Sequence, residues 1–265
     1  CHTSIIGPHN SAGNLVSMRN SLIRRAAWAA VGLATLALSA CALDPLGDLD
    51  PVLTPGASSV EPSLSDAAAP AADEFAVIAT DPQVALLMAE QLVVAPRDPH
   101  NDYDRTDFGF REFDVDGNGC DTRDDVLARD LVDIEIRPNT GGCVVASGTL
   151  YDPYSGDAID FVRGPQTSEA VQIDHVVALY NAWRMGAQDW DDQLLIEFGN
   201  DPLNLLAVGG AENDEKGHSD ASQWLPSNTE FHCEYAGLQV AIKTKYQLWV
   251  TQYERDALMG ILQDC

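Results

Sequence analysis

Ile173-Asp174-His175-Val176-Val177-Ala178-Leu179 sets a carboxylate and an imidazole side by side in an apolar, strand-like run. Successive side chains of a strand point to opposite faces, so the two share one site only where the strand ends or twists. An Asp-His pair alone is more often structural than chemical, and its meaning here depends on what surrounds it. Upstream, residues 132–136, 143–150 and 158–162 have strand composition. They are separated by Pro138-Asn139-Thr140-Gly141-Gly142 and by Asp152-Pro153-Tyr154-Ser155-Gly156, both rich in turn formers, which predicts an antiparallel meander. Residues 81–94 predict a helix with Val84, Leu87, Ala89 and Leu92 near one side, and a second helix begins over 124–131. Downstream, 178–187 and 191–198 predict two more helices, and 230–246 with 251–262 a closing helical pair. The class is α+β, and no internal repeat is visible.

The N-terminal part has a different character. Residues 1–17 show no apolar periodicity and read as sequence upstream of a start at Met18. Arg19, Arg24 and Arg25 then precede an apolar run, residues 26–40, too short for the ~20 residues of a membrane-spanning helix, so 18–41 predict a secretory signal. Leu38-Ser39-Ala40-Cys41 resembles a bacterial lipobox, which makes Cys41 the lipidated N-terminus of an exported, membrane-anchored protein. The alternative is ordinary cleavage near Ala40 and a secreted product. Residues 42–75, rich in Ala, Pro, Ser and Asp, predict a flexible spacer, which leaves 76–265 as the functional domain. Export accounts for Cys120, Cys143, Cys233 and Cys265 as an even set in an oxidising compartment. Of three possible pairings, Cys120–Cys143 and Cys233–Cys265 are favoured as sequence neighbours. Zinc ligation is the alternative, weakened by the lack of any C-x-x-C pair.

The chain carries 41 acidic against 15 basic residues, a formal charge of −26, and loss of the signal would remove three more arginines. Such a balance runs against binding through phosphate neutralisation. Lys216, Lys243 and Lys245 all lie toward the C-terminus and are expected to form a local positive patch.

Past the Asp-His pair, Asn200-Asp201-Pro202-Leu203-Asn204-Leu205-Leu206-Ala207-Val208 leads to Asn213-Asp214-Glu215-Lys216-Gly217. With these the chain resembles the HNH nuclease superfamily, closest to exported bacterial HNH proteins and similar to the C-terminal nuclease domain of Gmr-type restriction enzymes. The resemblance runs from about Tyr103 to Cys265 and includes Asn118-Gly119-Cys120-Asp121-Thr122-Arg123 and Trp224-Leu225-Pro226. His218 departs from it, standing where an acidic residue is expected after Lys-Gly.

The resemblance implies a ββα-metal core with flanking helices and an H-N-N set of His175, Asn204 and Asn213. In it His175 is the general base, Asp174 and Asn213 hold Mg²⁺ or Mn²⁺, Asn204 supports the His-bearing loop, and Lys216 and Arg123 offer charge to phosphate. These residue types suit the chemistry. A neutral imidazole takes a proton from water near neutral pH. Hard oxygen donors suit a divalent ion that stabilises a departing oxygen. The expected partner is nucleic acid, with DNA the first expectation, hydrolysed to a 5′-phosphate and a 3′-hydroxyl. No protein partner is implied.

Asp114-Val115-Asp116-Gly117-Asn118-Gly119-Cys120-Asp121-Thr122-Arg123-Asp124-Asp125 follows an EF-hand pattern, with Asp114, Asp116, Asn118 and Asp125 as calcium donors. Asp125 replaces the usual twelfth-position Glu, and a disulfide-pinned turn is the alternative. The rivals to nuclease activity are a non-catalytic surface lipoprotein that keeps an HNH-like scaffold as a binding module, and a hydrolase of other phosphodiesters. No nucleophile-elbow motif supports a serine hydrolase.

Overall fold

The computed structural model describes residues 72–99, 102–109, 113–114 and 116–265. The expected signal, Cys41 and the first part of the spacer lie outside them. From residue 72 onward the described chain folds as an α+β domain.

Helix α1 (Ala72–Thr80) begins inside the expected spacer, which therefore ends earlier than residue 75. Phe75, Ile78 and Ala79 recur at helical spacing and are buried, and α1 packs on α7 (His232–Lys245). The Ala- and Asp-rich composition of the spacer continues into this helix and hides it. Asp81 caps α2 (Pro82–Gln91) by accepting from the Gln83 and Val84 amides, with Pro82 at the position where a missing N–H is harmless. Both α2 and α8 (Gln252–Gln263) lie against α7. From Tyr235 to Lys243 α7 is buried on all sides, the mark of a central helix.

The meander forms as expected. Strands β1 (Leu131–Ile136), β2 (Val145–Tyr151) and β3 (Ala158–Val162) pair antiparallel in the order β1-β2-β3. Helix α3 (Thr122–Asp130), capped by Asp121, runs straight into β1. Cys120 is bonded to Cys143 and Cys233 to Cys265. The first bond closes the loop before α3 onto the β1–β2 connection, and the second ties the chain end to the start of α7. In the 114–125 loop Asp114 accepts from the Gly119 amide, Asp116 from the Asn118 amide, and Asp125 from the Asn118 side chain. Cys120 pins this loop to Cys143, and its carboxylates accept from its own N–H groups.

A second sheet positions the site. Strand β4 (Val171–His175) pairs antiparallel with β5 (Leu205–Gly209), His175 opposite Leu205 and Val171 opposite Gly209. Helices α4 (Leu179–Arg184) and α5 (Asp192–Gly199) lie between them in sequence, and α6 (Gly210–Lys216) follows β5 directly and packs on both strands. The expected 178–187 helix is shorter, because Gly186 takes a left-handed φ of 128°. Val171, Ile173, Leu205 and Ala207 share a core cluster with Val126, Leu127, Leu150 and Phe161, so one face of the small sheet rests on α3 and the meander. Two clamps hold β5 there. Asp130 accepts from the Ala207 amide at 2.8 Å, and Arg129 donates to the carbonyls of Leu205 and Pro202 at 2.6 and 2.9 Å. No described helix is long and apolar enough to cross a membrane.

Candidate active site

Residues of alternating parity on β4 face different neighbours. Gln172 and Asp174 point toward α6, while Val171 and Ile173 enter the core under the sheet. The strand ends at His175, and there both Asp174 and His175 reach the wall of one cleft of about 1380 Å³. That volume exceeds the ~300–1,000 Å³ of a small-molecule pocket.

Asp174 is buried and held from two sides. The Tyr154 hydroxyl donates to its Oδ2 at 2.6 Å, and the Lys216 ammonium lies 2.8 Å from Oδ2 and 3.0 Å from Oδ1. Lys216 also donates to the His175 carbonyl at 2.8 Å. One cation at the end of α6 thus locks the last two residues of β4. Lys216 is 0% exposed and does not line the cleft. The expected direct contact of Lys216 with phosphate is therefore corrected: its charge is committed to Asp174.

The expected lysine patch fails for the same reason. Lys243 is also 0% exposed and paired with Glu254 at 2.8 Å, and Lys245 is paired with Asp201 at 2.7 Å. Burial of an ammonium demands such partners. The arginine and lysine side chains of the cleft, among the described residues, are Arg105 and Arg123. Arg123 donates to the Val171 carbonyl at 3.1 Å while lining the cleft.

His175 is buried, and its Nε2 sits 2.8 Å from the Gly199 carbonyl. A carbonyl only accepts, so Nε2 carries the proton and Nδ1 is the basic nitrogen. Burial drives the imidazole pKa down to about 3; the Gly199 hydrogen bond opposes this, and the Arg105 and Lys216 charges reinforce it. The ring is neutral at physiological pH. Position 199 has to be glycine because a Cβ there would collide with the Phe108 carbonyl. Asn200, next in sequence, is fully buried, donates to the Phe108 carbonyl and accepts from Thr122. The Cys-Asp-Thr-Arg segment thereby braces the carbonyl that orients His175.

Asn204 is 0% exposed and clips the loop after His175. Its Oδ1 accepts from the Val177 amide at 2.8 Å, its Nδ2 faces the Val177 carbonyl at 3.4 Å, and its own carbonyl accepts from Val176. Asn213, on α6, lines the cleft and donates its Nδ2 to Gln172 Oε1 at 2.8 Å, which leaves the amide oxygen as its remaining side-chain donor atom for a ligand. Asp174, His175 and Asn213 therefore meet at one cleft, with Asn204 and Lys216 behind them. Of the 114–125 segment Arg123 lines it, whereas Asp114, Asp116, Asn118 and Asp125 do not.

Sequence reasoning missed Tyr154, whose ring is boxed by Trp224, Phe231 and Tyr235 at centroid distances of 5.1, 6.0 and 6.0 Å. Burial and the nearby Asp174 charge hold its hydroxyl protonated far above the usual phenol range, so it remains a donor. An aromatic residue inside a polar turn was the available signal. Gln172, Tyr103, Tyr180 and Arg105 in the cleft were also missed.

A family model described as GmrSD restriction endonucleases, C-terminal domain, matches residues 121–261. An uncharacterized secreted protein of Arthroderma benhamiae is 34% identical over 176 residues, covering 66% of this chain and 81% of that protein. No solved structure matches.

Proposed function

The chain belongs to the GmrSD restriction endonuclease C-terminal domain family, and from that premise we propose that it is an exported, metal-dependent HNH endonuclease that hydrolyses nucleic-acid phosphodiester bonds, DNA first. The observation that carries this reading is His175, a neutral imidazole at a strand end with Nε2–H fixed by Gly199, beside Asp174 on an open cleft. In this reading β4, β5 and α6 are the ββα-metal core.

The donor set suits Mg²⁺ or Mn²⁺, which keep several waters and bind through one or two protein oxygens plus substrate phosphate. Asp174 and the Asn213 amide oxygen would hold it. When bound, such an ion neutralises phosphate charge and stabilises the departing oxygen. Among the described residues no group of three or more His, Cys, Asp or Glu side chains is arranged to hold a metal, so the site depends on this sparse pair. In this reading His175 accepts the proton of the attacking water, and an anionic phosphate bound beside it would raise its basicity, which burial lowers. Gly199 and Asn204 keep the ring in place, and Lys216 with Tyr154 orients Asp174. Arg123 and Arg105 supply the positive charge of the cleft.

Export is supported by two disulfides, which persist in oxidising compartments, and by the secreted description of the Arthroderma benhamiae relative. We extend the proposal to signal cleavage before Cys41 and lipid anchoring there. The rival reading, a binding module without catalysis, draws on the commitment of Asp174 to Lys216. Plasmid DNA and RNA incubated with the disulfide-bonded protein and Mg²⁺ or Mn²⁺ decide between them. Cleavage to 5′-phosphate ends, abolished by His175→Ala and by EDTA, is the expected result. Intact substrate with a folded protein across both metals would leave the binding module.

A further inference from the structure

We infer that the cleft takes an unpaired nucleobase next to the scissile phosphate, on a wall of rings formed by His218, Tyr180 and Tyr103, so that single-stranded nucleic acid is bound in preference to duplex. This rests on the nuclease reading for the reacting phosphate but not for the binding itself. His218 and Tyr180 rings stand 5.1 Å apart at 89°, and Tyr180 and Tyr103 5.2 Å apart at 67°. All three line the same cleft as Asp174 and His175. Behind them the buried rings of Phe108 and Trp183 each lie 6.1 Å from Tyr103, so the wall is backed by core and its rings are held in place. The guanidinium of Arg184 sits 5.9 Å from the Tyr180 centroid and further restrains it. Near-perpendicular neighbours leave no continuous stack for a run of bases. They form a corner in which one base lies against one ring and meets the edge of the next.

Charge points the same way. The chain carries −26, and the cleft offers two arginines and no lysine among the described residues. A duplex brings two phosphates for each one of a single strand, so its approach to this surface is more strongly opposed. Stacking supplies affinity without phosphate neutralisation and needs a base whose face is not already covered by its neighbours. His218, the departure from the family pattern, is then a ring gained where a carboxylate would repel the strand.

The test uses the full chain carrying His175→Ala, with Mg²⁺ present, and fluorescence anisotropy of labelled oligonucleotides of about 12 nucleotides, within the span of single-strand sites. Three probes are compared: a mixed-sequence single strand, its duplex, and a single strand of abasic units with the same phosphates. The single strand is expected to bind at least about 10-fold tighter than either control. His218→Ala and Tyr180→Leu should each weaken it about 5- to 150-fold, as loss of one base–ring stack does. His218→Phe should retain the affinity, which separates a stacking ring from a charged contact, and far-ultraviolet circular dichroism checks that each variant is folded. Equal affinity for the three probes, no binding to any, or unchanged affinity of folded His218→Ala and Tyr180→Leu would overturn the inference. Plasmid cleavage by the wild-type chain is scored separately. Cleavage without single-strand preference removes this inference alone, and preference without cleavage removes the catalytic reading alone.

Discussion

Replacing Lys216 with Met keeps most of the buried stem and removes the ammonium that lies 2.8 Å from Asp174 and 2.8 Å from the His175 carbonyl. Both partners of the ion pair are out of water, at 0% and 5% exposure. The variant therefore leaves a buried carboxylate with the Tyr154 hydroxyl as its remaining donor in the site. Breaking a buried pair from one side costs about 3–5 kcal/mol, against ~0–1 kcal/mol for a surface pair. For a domain of about 150–250 residues each kcal/mol lowers Tm by about 2–4 °C, so the expected drop is about 6–20 °C. Thermal unfolding followed by circular dichroism under non-reducing conditions measures it. The double variant Lys216→Met, Asp174→Leu should recover part of the loss, because it leaves no buried unpaired charge, while the Tyr154 hydroxyl and the His175 carbonyl still lose their partners. Activity should vanish in both. A single variant within about 1 kcal/mol of wild type, or a double variant no more stable than the single, would refute the view that Lys216 serves Asp174.

Asn204→Ala leaves the buried Val177 amide without its 2.8 Å acceptor and should destabilise by about 1–3 kcal/mol, with nuclease kcat falling more than KM rises; unchanged kcat in a folded variant would mean the loop does not position His175. Glu254, buried beside Lys243, has its pKa raised first by burial and further by Asp220, with Lys243 opposing. A raised folded-state pKa contributes stability that is present below the ordinary carboxylate value and lost as pH rises through the folded one. Lowering pH from about 8 to about 4.5 should thus raise the Tm of wild type relative to Glu254→Gln; parallel Tm–pH curves would remove Glu254 as the source.

Strand and helix positions were legible wherever they depend on local spacing. The turn-former clusters at 138–142 and 152–156 mark the meander correctly, and β3 falls at residues 158–162 as expected. Helix α6 was implied only by the ββα resemblance and not by periodicity, since Gly-Ala-Glu-Asn-Asp-Glu-Lys carries no apolar face and its stability comes from β4 and β5 beneath it. Asp174, His175, Asn204 and Asn213 were named from their motif, and Tyr154 was not, because its partner is 20 residues away, beyond β3.

By itself the sequence determined the meander and most of the helices, the cysteine set and the polar residues around which a site can form, because residue spacing and turn chemistry act within a few residues along the chain. Only tertiary structure decided what those residues do. Three lysines counted as a positive surface are two buried cations and one ion pair, and the 152–156 turn, read only as a connection, supplies the tyrosine that holds Asp174. A long polar side chain takes its function from the groups that packing brings within about 3 Å, and composition carries no record of that distance.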